Sequence, residues 1–160
     1  MKIATTLFLK IAVILMAIPV LALCIFLVPE LGKVAVELVP SYPSLKYIVS
    51  IIFYASSIPF YFALYQAFQL LRYIDLNKAF SELSVKSLKK IKYCAIIISI
   101  LHVLALPLFY LFAEMDDAPG VIFVGMLVPF VSMVIAVFAA VLQRLLQEAV
   151  EIKSENDLVV

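Results

Sequence analysis

Histidine occurs once in this chain, as His102, and it falls in the middle of a long apolar run. An imidazole is the side chain whose ordinary pKa lies nearest neutrality, and an ionisable group at mid-membrane depth faces protein rather than lipid. Ser99 in the same run, with Ser56 and Ser132 in others, are the hydroxyls that would complete a polar intramembrane site with it, and Ser57, Tyr54 and Tyr61 are further partners. The chemistry on offer is a proton relay or a hydrogen-bonded solute. The plainer alternative is a neutral imidazole satisfied structurally by one hydroxyl.

Little else in the sequence can do chemistry. Cys24 and Cys94 stand in different apolar runs near opposite faces of the bilayer, too far apart for a disulfide. One histidine and two separated cysteines do not make a zinc site. HExxH, GxSxG, Walker and dinucleotide-binding glycine patterns are missing, and three glycines leave little backbone for cradling phosphate. No paired carboxylates occur within an apolar run. The chain reads as non-enzymatic, with no catalytic residues, no cofactor and no metal.

The elements that must position His102 follow from composition. Of 160 residues, 66% are hydrophobic and 14% charged, with a mean hydropathy of +1.18. Soluble domains run nearer 45–50% apolar and about 25% charged. A net charge of +1 argues against direct, electrostatic nucleic-acid binding, which needs a basic surplus. A hydrocarbon layer about 30 Å thick needs roughly 20 apolar residues as helix. Stretches 11–28, 47–71, 93–113 and 121–142 are of that order and free of Asp, Glu, Lys and Arg, the fourth running out at Gln143 and Arg144. The sequence predicts an all-α integral membrane protein, a four-transmembrane-helix bundle, as one domain over 1–160. The first span reads as an uncleaved anchor, because its apolar run exceeds a signal peptide's and Leu23 is too large for a lipoprotein site before Cys24.

Basic residues set the orientation. With both termini cytoplasmic, Lys2, Lys10, Arg72, Lys78, Lys86, Lys89, Lys90, Lys92, Arg144 and Lys153 lie inside, and only Lys33 and Lys46 lie outside. The expected location is a bacterial plasma membrane, multi-pass, with N- and C-termini in the cytoplasm. In the first outer loop Pro29, Gly32, Pro40 and Pro43 read as turns, with a short interfacial helix over 34–39. Glu114, Asp116 and Asp117 read as a solvated loop tip.

Connection 72–92 is basic and amphipathic. Ser81 is placed to cap a helix, Glu82 sits in its first turn, and Leu76, Phe80, Leu83, Leu88 and Ile91 share a face. Lys86, Lys89, Lys90 and Lys92 stand where anionic headgroups lie, each worth about 1 kcal/mol of attraction. Tail 143–160 is acidic, with Glu148, Glu151, Glu155 and Asp157, and the reading is that it packs against the basic connection, Lys89 near Glu148. Pro19, Pro59, Pro107 and Pro129 put one kink in each span, an arrangement that could open a cavity toward the outside. Small residues at Ser56, Ala63, Ala67, Ala95, Ser99, Gly125, Ser132, Ala136 and Ala140 suit a compact bundle or a homo-oligomer seam.

Two segments carry a family likeness. Asn77-Lys78-Ala79-Phe80-Ser81 with Ser87-Leu88-Lys89-Lys90-Ile91, and Phe138-Ala139-Ala140-Val141-Leu142 through Glu148-Ala149 to Glu155-Asn156-Asp157-Leu158, resemble the cytoplasmic loop and terminal signature of a bacterial multi-pass family, domain of unknown function 2975. That family usually has Thr where this chain has Val159. The resemblance implies a plasma-membrane protein in a regulatory or stress-related setting, often encoded beside a small helix-turn-helix regulator, and carries over no catalytic residues. On the motif residues, Phe80-Ser81 reads as an apolar staple and cap, and Glu155 or Asp157 as reaching back to the basic loop.

The expected function is therefore a regulatory, sensing or stress/immunity-related membrane component. Its cytoplasmic face, at Phe80, Ser81, Lys86, Lys89, Lys90, Glu155 and Asp157, would contact lipid headgroups and a cytoplasmic partner. The alternative is a small-solute or ion transport component with its polar site around His102.

Overall fold

Every regular element is helical in the computed structural model, which describes residues 2–159, with side chains over 4–158. Lys2 and Val159, used above in the charge count and the terminal motif, have side chains outside that range. The elements are α1 (Lys2–Ala22), a π-helical turn (Leu23–Leu27), α2 (Val28–Leu38), α3 (Leu45–Asp75), α4 (Glu82–Met115) and α5 (Gly120–Val159). Four helices are long and apolar enough to cross a membrane, the first being α1 through α2.

The surface is inverted relative to a soluble protein. Phe26 is 72% exposed and Phe123 74%, while Thr6, Ser56, Gln66, Ser84, Ser87, Ser99, His102 and Ser132 are buried. An apolar surface this continuous is stable in hydrocarbon and not in water.

The first loop departs from the turns expected of it. Pro29 and Gly32 lie inside helix, not at turns. Proline cannot donate to the carbonyl four residues back. The chain absorbs this one residue earlier: the Val28 N–H bonds to Leu23 O, widening the winding into a π turn, so Pro29 falls in the first turn of α2 where its missing N–H costs nothing. Helix α2 then covers the far end of the molecule, opposite the termini. Its Ala35 joins Val39, Leu45 and Val49 in a buried cluster flanked by Leu31, Phe53, Leu108 and Phe112.

Two helix stops have the same construction. Asn77 (φ 59°) and Asp117 (φ 49°) adopt the left-handed conformation. The next amides close back over the helix ends, Lys78 N–H to Tyr73 O at 2.7 Å and Ala118 N–H to Ala113 O at 2.9 Å. Asp117 is thus a helix terminator. Since α3 stops at Asp75 and α4 starts at Glu82, Leu76 and Phe80 do not share a helical face with Leu83 and Leu88. The inward face of that first stretch of α4 is Ser84, Val85 and Ser87.

The long helices form an open row, α1–α3–α4–α5, and not a closed bundle. Among the described residues α1 packs on α3 but not α4 or α5, and α5 packs on α4 alone. Small residues suit the most extensive contact, α4 with α5: α4 has Ala95 and Ser99 buried, and α5 has Gly125, Ser132, Ala136 and Ala139.

Candidate functional site

His102 sits at the α3–α4 contact, where its ring nitrogen serves two neighbours. Nδ1 lies 3.1 Å from the Ile98 carbonyl one turn back and 3.4 Å from Ser56 Oγ on α3. A carbonyl only accepts, so Nδ1 carries the proton in this arrangement. The Ser56 hydroxyl donates to Ile52 O at 2.8 Å and is free to accept. Phe53 meets the imidazole edge-on with centroids 5.9 Å apart. The group is packed and bonded on its own helix.

The other hydroxyls are elsewhere. Ser99, one turn before His102, donates across to Pro129 O on α5 at 3.2 Å. Ser132 borders a lateral cleft of about 440 Å³ between α3 and α5, whose walls are otherwise apolar side chains such as Ala63, Leu64, Val131 and Ile135. The four residues thus divide into a His102–Ser56 contact at α3–α4 and a Ser99–Pro129 contact at α4–α5, with Ser132 beyond. They line no common polar cavity.

Toward the far end, α2, α3, α4 and the start of α5 enclose a cavity of about 220 Å³. Leu31, Ala35, Phe53, Ala105 and Phe109 line it, and Asp116 alone is charged. Phe53 is the shared wall between this cavity and His102.

At the terminal end the structure assembles a polar cluster that the sequence reading missed. Thr6 and Lys10, one helical turn apart on α1, both bond Asp75 at the end of α3. Lys10 Nζ donates to Asp75 Oδ2 at 2.5 Å and lies 5.5 Å from the Phe68 ring centroid. A signal was present: Asp75 is the sole acidic residue between Lys46 and Glu82, and it follows span two on the side where Lys10 precedes span one.

Beyond the apolar spans α4 and α5 stay together. Gln147 Nε2 donates to Glu82 Oε1 at 3.3 Å, and Phe80 faces a groove shared with Ala149, Ile152, Lys153, Asn156 and Asp157. These pairs and Ser99–Pro129 give one antiparallel register, which puts Lys89 opposite Ala140 rather than Glu148. Ser81 occupies the helix N-cap position, extended at φ −144°, but its hydroxyl donates back to Lys78 O at 2.5 Å instead of capping an amide. Phe80 faces α5 instead of stapling α4. Lys86, Lys89 and Lys90 are exposed. Glu155 and Asp157 are exposed too, and among the described residues neither forms an ion pair with those lysines.

The chain is 63% identical over 156 residues to the "Uncharacterized membrane protein YoaS" of Bacillus subtilis (strain 168), a match covering 98% of each protein. No solved structure matches it. Residues 30–160 match the family model described as "Protein of unknown function (DUF2975)", and with four apolar helices and a relative this similar along its whole length, the chain belongs to that family of membrane proteins.

Proposed function

We propose that this protein is a non-enzymatic regulatory or sensing component of a bacterial plasma membrane that engages a cytoplasmic partner through its α4–α5 projection. The carrying observation is the length and pairing of those helices. At 1.5 Å per residue the 40 residues of α5 extend about 60 Å, twice the hydrocarbon thickness. Its excess length pairs with α4 as far as Gln147–Glu82. A rigid hairpin running from the Asp116 end to a charged projection is the kind of element through which a membrane-side event biases a partner.

Placing both termini in the cytoplasm rests on the distribution of basic residues, ten against two. In that orientation the exposed Lys86, Lys89 and Lys90 face anionic headgroups or an acidic partner, and Phe80, Ser81, Glu155 and Asp157 lie on the same projection. The resemblance noted above makes a small helix-turn-helix regulator the first partner to try. The transport reading draws less support, because His102 faces Ser56, Phe53 and its own helix, and the nearby cavity is apolar.

The test is capture from native bacterial membranes of the full chain and of the chain lacking its last eight residues. A cytoplasmic protein retained by the first, lost by the second, and lost on replacing Lys86, Lys89 and Lys90 by Gln is the expected result. Identical captured sets for all three would overturn the reading.

A further inference from the structure

Helix α5 runs past its support. Its packing partner α4 begins at Glu82, opposite Gln147, so the twelve residues 148–159 have no helix of their own chain beside them. As the end of a longer helix this stretch needs no nucleus of its own, but no helix of its own chain packs on it. The sequence there is also not that of a freely solvated helix. Leu145 and Ile152 are 57% and 59% exposed, and with Ala149 and Asn156 they recur at alternating spacings of four and three. That spacing is the seam of a two-stranded coiled coil. It lies about 100° around the helix from the face that meets α4. Continued backward it passes through Leu142, Phe138, Ile135 and Val131, the last two of which wall the cleft between α5 and α3. Within lipid an apolar stripe is uninformative; among Arg144, Gln147, Glu148, Glu151, Lys153 and Glu155 it is not.

We propose that two copies of this chain associate in parallel through the projecting end of α5, with Leu145, Ala149, Ile152 and Asn156 forming the seam. Charge selects this occupant. In a parallel pair each flanking residue meets the one five positions further along the partner. That brings Glu148 to Lys153 of the partner subunit, twice by symmetry. Within the chain Lys153 makes no ion pair among the described residues, and the ion pair of Glu148 is to Arg144 on its own helix at 3.8 Å. Asn156 holds a core position, where a paired asparagine fixes register and favours two strands. Parallel alignment follows from the membrane, since both copies insert the same way. No helix besides α4 packs on α5, and on the seam side Phe80, itself 57% exposed, stands across an open groove from Ala149, Ile152 and Asn156, so a second copy would lie in that groove beside Phe80. The proposal goes beyond the partner reading and does not depend on it.

The experiment is oxidative cross-linking of the full chain in native membranes. Ile152→Cys and Leu145→Cys are expected to yield a product of twice the chain mass at about ten times the level of Ser154→Cys, which lies on the outer side of such a pair. In the Ile152→Cys background, Lys153→Glu or Glu148→Lys alone lowers that yield about fivefold, and the two together restore it. Two-step photobleaching of singly labelled chains in nanodiscs is the independent readout. Equal yields at 152 and 154, failure of the double variant to recover, single-step bleaching, or a cross-linked product containing a different protein each overturn the homodimer. Loss of partner capture with these results intact would sink the proposed function and leave the dimer standing.

Discussion

Lys10 Nζ and Asp75 Oδ2 meet at 2.5 Å, joining the first helix to the end of the third, each side chain about one-fifth exposed at 22% and 23%. Helix α1 packs on α3 and on neither α4 nor α5, so this pair, with Thr6 on the same carboxylate, fastens the terminal end of an edge helix that Tyr61 ties again at mid-length by donating its hydroxyl to Ala17 O at 2.8 Å. Removing one partner of a half-buried pair strands the other charge. Asp75→Asn is therefore expected to lower the thermal midpoint in nanodiscs more than Glu30→Gln, whose ion pair with Lys33 is far more exposed. The exchange Lys10→Asp with Asp75→Lys recovers most of the loss. An Asp75→Asn midpoint equal to the parent's would show that the pair contributes nothing.

Gly125 of α5 makes room for the Phe109 ring of α4. A Cβ there would lie 2.6 Å from Cγ of Phe109, at the root of the ring where it cannot swing aside. Gly125→Ala is expected to destabilise the chain by about 1–3 kcal/mol, the usual range for an overpacked core. Adding Phe109→Leu should return part of it. Denaturant unfolding in mixed micelles measures both, and a neutral Gly125→Ala would mean that the helices separate there at no cost.

His102 and Ser56 separate structural from chemical roles. The Ser56 hydroxyl is already satisfied by Ile52 O, and membrane side-chain hydrogen bonds average about 0.6 kcal/mol, so Ser56→Ala should cost less than about 1 kcal/mol. His102→Ala empties space beside Phe53 and should cost about 2–5 kcal/mol. His102→Phe keeps the ring contact and removes the titrating group. Under the proposed function it retains partner capture; its loss in a folded protein would return proton chemistry to consideration.

The spans were legible because length and absence of charge are enough to specify a membrane helix; the stop at Asn77 was not read, although asparagine is among the few residues that end a helix in the left-handed conformation. Pro29 and Gly32 misled because a proline reads as a break unless a widened turn precedes it, and nothing in Leu23–Leu27 marks such a turn. The row arrangement was illegible for a deeper reason. In a uniformly apolar segment, residues that face lipid and residues that face a helix are chemically alike, so sequence gives the helices but not their neighbours. The Ser99 and Ser132 assignment failed to converge on His102 for that reason: one turn along α4 changes the facing helix from α3 to α5.

The register of the projection makes the last prediction. An antiparallel pair fixed by Ser99–Pro129 within the membrane and Glu82–Gln147 beyond it is a single straight register. Cysteines at Glu82 and Gln147 should form a disulfide within one chain on mild oxidation, read as a mobility shift reversed by reductant. Cysteines at Lys89 and Glu148 should not: in this register Lys89 stands opposite Ala140, and eight residues of helix amount to about 12 Å along the axis, beyond the roughly 7 Å between Cα atoms that a disulfide spans. If the Lys89–Glu148 pair closed and the Glu82–Gln147 pair did not, α5 would have slid two turns on α4. The stretch 148–159 would then be supported by its own chain, and neither the projection nor the seam argued for it would exist.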